Sequence, residues 1–156
     1  MKPTVQNTRC VGNNVLNGVE SRFSRKWHSL VKEVDPQTLE AVIKETRLLF
    51  VDSWAPWCGP CLALAPVMEE LAHKYADNPE IGFVKINTQE YPQFAARHNI
   101  NAIPCVLVYF EGKPAKFESP DPRRQLSVTT DRLIGLRPAE HYEKVIRALL
   151  EWTGSA

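Results

Sequence analysis

The chain has 156 residues, 44% of them hydrophobic and 24% charged, and a formal net charge of +1. That length and balance fit one soluble globular domain with its own core. They exclude wholesale disorder, a collagen-like repeat, a disulfide-stapled mini-protein and a charge-driven nucleic-acid binder. No apolar run approaches the roughly 18 residues needed to cross a bilayer.

The charge is uneven. Residues 1–32 hold six of the 19 basic side chains (Lys2, Arg9, Arg22, Arg25, Lys26, Lys32) and one of the 18 acidic ones, Glu20. Asn, Ser, Thr and Gly are frequent there and apolar periodicity is poor, so residues 1–28 read as a flexible or loosely docked basic extension. The stretch lacks the apolar core of a secretory signal, while its basic, acid-poor composition permits an organelle transit peptide. Residues 29–156 read as one domain, expected in the cytoplasm, or in an organelle if the extension is such a peptide.

His28–Val34 suggests a short first strand. Asp35-Pro36 looks like an N-cap followed by proline at the first helical position, and Leu39, Val42 and Ile43 follow at helical spacing up to about Lys44. Leu48–Val51 is a short apolar run of the kind buried on both faces of a sheet. A long helical pattern then runs through Leu64, Val67, Met68, Leu71, Ala72 and Tyr75, with Pro66 expected to kink it, and ends at Asp77-Asn78-Pro79.

Ile81–Ile86 reads as a strand, Tyr91–His98 as a short helix and Val106–Phe110 as another buried strand ending at Glu111-Gly112. Residues 126–134 look like one strand paired to it. Between Gly112 and Gly135, residues 113–134 form an enlarged hairpin. Its first half, with three prolines and mixed charges, is expected to be turn-rich, exposed, far from the cysteines and no gate to them. Tyr142, Val145, Ile146, Leu149 and Leu150 mark the face of a last helix. The order β-α-β-α-β-α-β-β-α implies an α/β sandwich around a mixed sheet.

Trp57-Cys58-Gly59-Pro60-Cys61 stands at the junction of the buried strand and the long helix. Helix geometry puts Cys58 at the N-terminus and Cys61 one turn inward. Helix dipole and free N–H groups there favour a thiolate, the nucleophile of disulfide exchange, with Cys61 placed to attack the resulting mixed disulfide. Gly59 and Pro60 set the strain of the small ring. Other readings of the pair are a zinc half-site, though no second CxxC or CxxH exists, an inert structural disulfide, or chance spacing of two core cysteines.

With Val51-Asp-Ser-Trp-Ala-Pro before the motif, and with Ala65-Pro66, Val84-Lys85 and Ala102-Ile-Pro104 after it, the chain resembles the thioredoxin family from about residue 30 to 152. Asn87-Thr-Gln-Glu90 is similar to the second bacterial type, whose N-terminal zinc module needs paired cysteines where this chain has Cys10 alone. The resemblance implies the thioredoxin fold and protein-disulfide reduction by Cys58 and Cys61 as a redox-active disulfide. It implies disulfide-containing protein substrates, a thioredoxin reductase as electron donor, and no cofactor or metal in the chain itself. A monomer that binds neither nucleic acid nor membrane is expected.

Asp52 interrupts an apolar strand; a buried carboxylate there has a raised pKa and can take the proton of Cys61. The resemblance places it where the family keeps a buried aspartate, with Lys85 beside it to moderate its charge. It also implies a cis bond before Pro104, packed on the disulfide, and pairing of the Ile103 backbone with an extended substrate segment. Trp57, Gly59, Pro60, Ile103, Pro104 and Gly135 form the expected substrate-docking set, and Trp54 packs beside the site. Cys105, where the family has threonine, reads as a buried small hydrophobe. His28, His73, His98 and His141 read as solvated. Two other functions stay open: an oxidase or isomerase in an oxidising compartment, and a binding module controlled by its redox state.

Overall fold

The computed structural model describes residues 29–121 and 123–152. The expected basic extension, with Cys10 and His28, lies outside the described residues. The elements in order are β1 (Lys32–Glu33), α1 (Pro36–Glu45), β2 (Leu48–Trp54), α2 (Gly59–Lys74), β3 (Ile81–Asn87), α3 (Pro92–Arg97), β4 (Cys105–Phe110), β5 (Lys113–Pro114), β6 (Phe117–Asp121), β7 (Leu126–Thr130), β8 (Arg132–Ile134) and α4 (Ala139–Trp152).

A mixed sheet in the order β1-β3-β2-β4-β5 forms the centre, with β8 also paired to β4. β1, β3 and β2 are parallel; β4 runs antiparallel to β2. Side chains alternate between the two faces. Leu48, Phe50, Ile81, Phe83, Val106 and Val108 pack on one face against Leu64, Met68 and Leu71 of α2 and Tyr142, Val145 and Ile146 of α4. Leu49, Val51, Val84, Ile86 and Leu107 pack on the other against Leu39 of α1 and Phe94 of α3. Burial on both faces is why β2 reads as an unbroken apolar run before Asp52.

The α1 start matches its sequence signal. Asp35 accepts a hydrogen bond from the Thr38 N–H at 2.6 Å, and Pro36 occupies the first turn. The first strand is shorter than expected. Lys32 and Glu33 pair with β3, and the Val34 N–H donates to the Lys85 carbonyl at 2.9 Å; before them the Leu30 and Val31 amides donate to the Glu69 carboxylate of α2 at 3.0 and 3.2 Å, and the Ser29 hydroxyl bonds it too. That carboxylate satisfies the backbone donors a sheet neighbour would otherwise take.

Residues 126–134 are not one strand. The chain divides at Asp131, whose carbonyl accepts from the Val108 N–H at 2.9 Å. β8 pairs with β4, whereas β7 pairs with β6 in a separate two-stranded sheet. The first half of the enlarged hairpin is likewise more ordered than a turn-rich loop. Phe117 and Ser119 alternate inward with Glu118 and Pro120 outward, and Phe117 and Ala115 join the core beneath α4. His98 and His141 are half-buried rather than solvated; the His98 ring lies 4.3 Å from that of Phe94.

Candidate active site

β2 leads through Ala55–Trp57 into α2, and this junction builds the site. Cys58 is the N-cap of α2: it has extended backbone angles, its N–H donates to the Ala55 carbonyl at 3.1 Å, and its Sγ accepts from the Cys61 N–H at 3.2 Å. One helical turn separates the two residues, with Cα atoms 5.2 Å apart, and their sulfurs form a disulfide. Both are buried, at 5% and 1% exposure. The orphan N–H groups and positive end of the helix surround Cys58, the setting that stabilises a thiolate when the bond is reduced.

The Ile103–Pro104 bond is cis, and the Ile103 carbonyl lies 3.8 Å from the Cys58 sulfur. Pro104 is buried; Ile103 and Trp54 pack on the cluster of Ala55, Cys58 and Cys61. The Gly135 N–H donates to the Pro104 carbonyl at 2.8 Å, so the end of β8 runs beside the cis-proline. Gly135 has φ +85°, a conformation that favours glycine. Trp57 is 71% exposed, Gly59 and Pro60 are exposed beside it, and Ile134 and Leu136 expose apolar surface on either side of Gly135. The structure thus brings the expected docking residues around one disulfide.

Asp52 sits on β2 below this junction, 3% exposed, with Oδ1 lacking a hydrogen-bond partner. Burial pushes its carboxyl up to about 7, and the charge of Lys85 pulls it partly back. Register places Lys85 of β3 directly beside Asp52. The Lys85 ammonium lies over the Trp54 ring, 5.0 Å from its centroid, and the Trp54 indole donates to Glu33 at 3.2 Å. Trp54 therefore does more than fill space: it holds the lysine that moderates the carboxylate. Glu33 and the exposed Leu62, Ile134 and Leu136 escaped the sequence reading. Leu62 was detectable, because it falls off the α2 face traced by Leu64, Met68 and Leu71. Cys105 is 1% exposed, and burial pushes its thiol up to about 11.

A family model for thioredoxin matches residues 30–132. The chain belongs to the thioredoxin family. A thioredoxin from Griffithsia pacifica is 39% identical over 85 residues, covering 54% of this chain and 76% of that one. A chloroplastic M-type thioredoxin of Zea mays is 33% identical over 127 residues, covering 81% of this chain and 68% of the relative. The solution structure of oxidised thioredoxin from Plasmodium falciparum superposes with a TM-score of 0.56 at 26% identity, covering 76% of this chain and 96% of that one. The fold is the thioredoxin fold, a mixed sheet flanked by helices. Thioredoxins are thiol–disulfide oxidoreductases, and this chain carries the cysteine pair that the chemistry requires.

Proposed function

We propose that this thioredoxin reduces protein disulfides by dithiol–disulfide exchange. The observation that carries the reading is the Cys58–Cys61 disulfide at the start of α2, against the cis-proline and above a buried carboxyl.

The substrate docks on the exposed rim of Trp57, Gly59, Pro60 and Gly135, and its extended backbone pairs with that of Ile103 beside Pro104. The Cys58 thiolate attacks one substrate sulfur. A Cys58–substrate disulfide forms and the second substrate sulfur leaves as a thiolate, which takes up a proton. Asp52, titrating near neutrality, accepts the Cys61 proton, and Lys85 steadies the resulting charge. The Cys61 thiolate attacks Cys58 Sγ and releases the substrate as a dithiol. Two electrons have passed to the substrate, and Cys58–Cys61 is again a disulfide. A thioredoxin reductase restores the dithiol. For the setting, chloroplastic M-type relatives and the acid-poor basic stretch at residues 1–32 together favour an organelle over the cytoplasm.

Cys58→Ser abolishes insulin-disulfide reduction, and Cys61→Ser accumulates mixed disulfides with substrate. Full turnover by Cys61→Ser would refute the resolving role. The direction of the chemistry is read from the reduction potential. A value near the about −270 mV of thioredoxin supports a reductase; one near the about −180 mV of protein disulfide isomerase makes the protein an oxidant or isomerase.

A further inference from the structure

Tyr142 is the largest fully buried side chain among the described residues, and the steps above do not use it. It belongs to α4, and its ring meets that of Phe50 edge-on at a centroid distance of 6.1 Å. Phe50 and Asp52 are two residues apart on β2, so both project to the face that α4 covers. The Tyr142 hydroxyl and Asp52 Oδ1 are both buried without a hydrogen-bond partner. A phenol is an O–H donor and a carboxylate an acceptor, so each supplies what the other lacks. Leaving both unpaired in a buried setting is costly. Burial pushes the phenol up, and the Asp52 carboxylate, the strongest charge acting on it, pushes it the same way. The hydroxyl therefore keeps its proton, and stays a donor, throughout the neutral range.

The other groups around Asp52 leave this place open. Lys85, from β3, holds its ammonium over the Trp54 ring. Val106, directly opposite on β4, is apolar; Cys105, next to it, feels the Asp52 charge but lies on the other face. Ser53 also has an unpartnered hydroxyl, but it alternates to the opposite face. Cys61, in the first turn of α2, is the proton donor of the proposed reaction, and Arg137, just before α4, acts on Tyr142 by its charge.

We propose that Tyr142 is a positioning residue for Asp52, its hydroxyl donating to Oδ1 directly, after a rotation of the carboxyl, or through one shared water, when Asp52 takes the Cys61 proton. This deepens the proposed function and rests on the role given there to Asp52. A donor to the charged carboxylate favours ionisation, so the phenol offsets part of what burial does. It sets the pH above which Asp52 is free to act as a base.

Tyr142→Phe tests this, because it keeps the ring against Phe50 and removes only the oxygen; a thermal melt confirms the fold. The Asp52 titration is followed by carbon-13 NMR of its carboxyl in the reduced full chain. The expected result is a midpoint about one pH unit higher in Tyr142→Phe, the size of one charge-assisted hydrogen bond. The pH profile for substrate release from the mixed disulfide moves alkaline by the same amount. In an Asp52→Asn background the tyrosine substitution leaves that profile unchanged. An Asp52 midpoint that stays put or falls overturns the proposal, as does an equal effect of Tyr142→Phe with and without Asp52. The NMR titration uses no substrate. Failure of the unsubstituted protein to reduce disulfides would thus sink the functional reading, while the pairing is judged on its own.

Discussion

Replacing Asp52 by alanine should stabilise the protein at alkaline pH far more than at acid pH. The folded carboxyl titrates at about 7, against 3.8 for the free side chain; burial raises it, and Lys85 opposes the rise. Between those values the unfolded chain has released a proton that the folded chain still holds. Stability therefore falls as pH rises through the window and the full loss is reached above pH 7. A shift of about three units at about 1.4 kcal/mol per unit makes the loss roughly 4 kcal/mol at pH 8 and under about 1 kcal/mol at pH 4. Alanine also leaves a small void, but that cost does not depend on pH. The difference between the two pH values therefore isolates the charge. Guanidinium chloride unfolding of the oxidised protein and of Asp52→Ala, each at pH 4 and pH 8, measures it. The variant should gain roughly 3–4 kcal/mol relative to the parent between the two. A gain below about 1 kcal/mol would refute the claim that Asp52 is buried without adequate compensation.

Trp57→Ala removes an exposed ring, 71% accessible, so stability should stay within about 0.5 kcal/mol while reduction of protein disulfides slows about tenfold. A drop in melting temperature matching the loss of activity would contradict a docking role. Phe117→Ala, at a site 6% exposed in β6, should cost about 3–5 kcal/mol by chemical denaturation; a cost below 1 kcal/mol would make the hairpin a detachable loop. Cys105, buried and with its thiol pushed up to about 11, should react with iodoacetamide at pH 8 more than about a hundredfold slower in the native protein than in guanidinium. Peptide mapping reads the label, and comparable rates would show that β4 opens readily.

The elements legible in advance carried local signals. Asp35-Pro36 announces α1 because capping and a preset φ act within one turn. The β2 and β4 runs announce themselves because strands buried on both faces are apolar throughout. The signals failed where a distant partner decided the outcome. Leu30 and Val31 read as strand, yet Glu69, almost forty residues on, takes their amides. Residues 126–134 hold no mark at Asp131 to say that the first half pairs with β6 and the second with β4. Phe117 and Ser119 sit in a stretch whose prolines and charges suggest a surface turn. Only the nearby face of α4 makes their alternation count.

The site divides along the same line. Cys58 and Cys61 were readable from spacing alone, because one helical turn is a local distance and the helix start a local field. Asp52 was readable as an anomaly in an apolar run, and its registration with Lys85 follows once β2 and β3 pair in parallel. The raised pKa of Asp52, the seat of Lys85 on Trp54, the approach of Ile103 to Cys58 and the packing of Tyr142 on Phe50 belong to tertiary structure. Each depends on groups brought together by the sheet and by helices packed across it. Burial and Coulomb interaction act through space, so a chain order that sets spacing along one helix cannot by itself say which charges and hydroxyls will share a dry face.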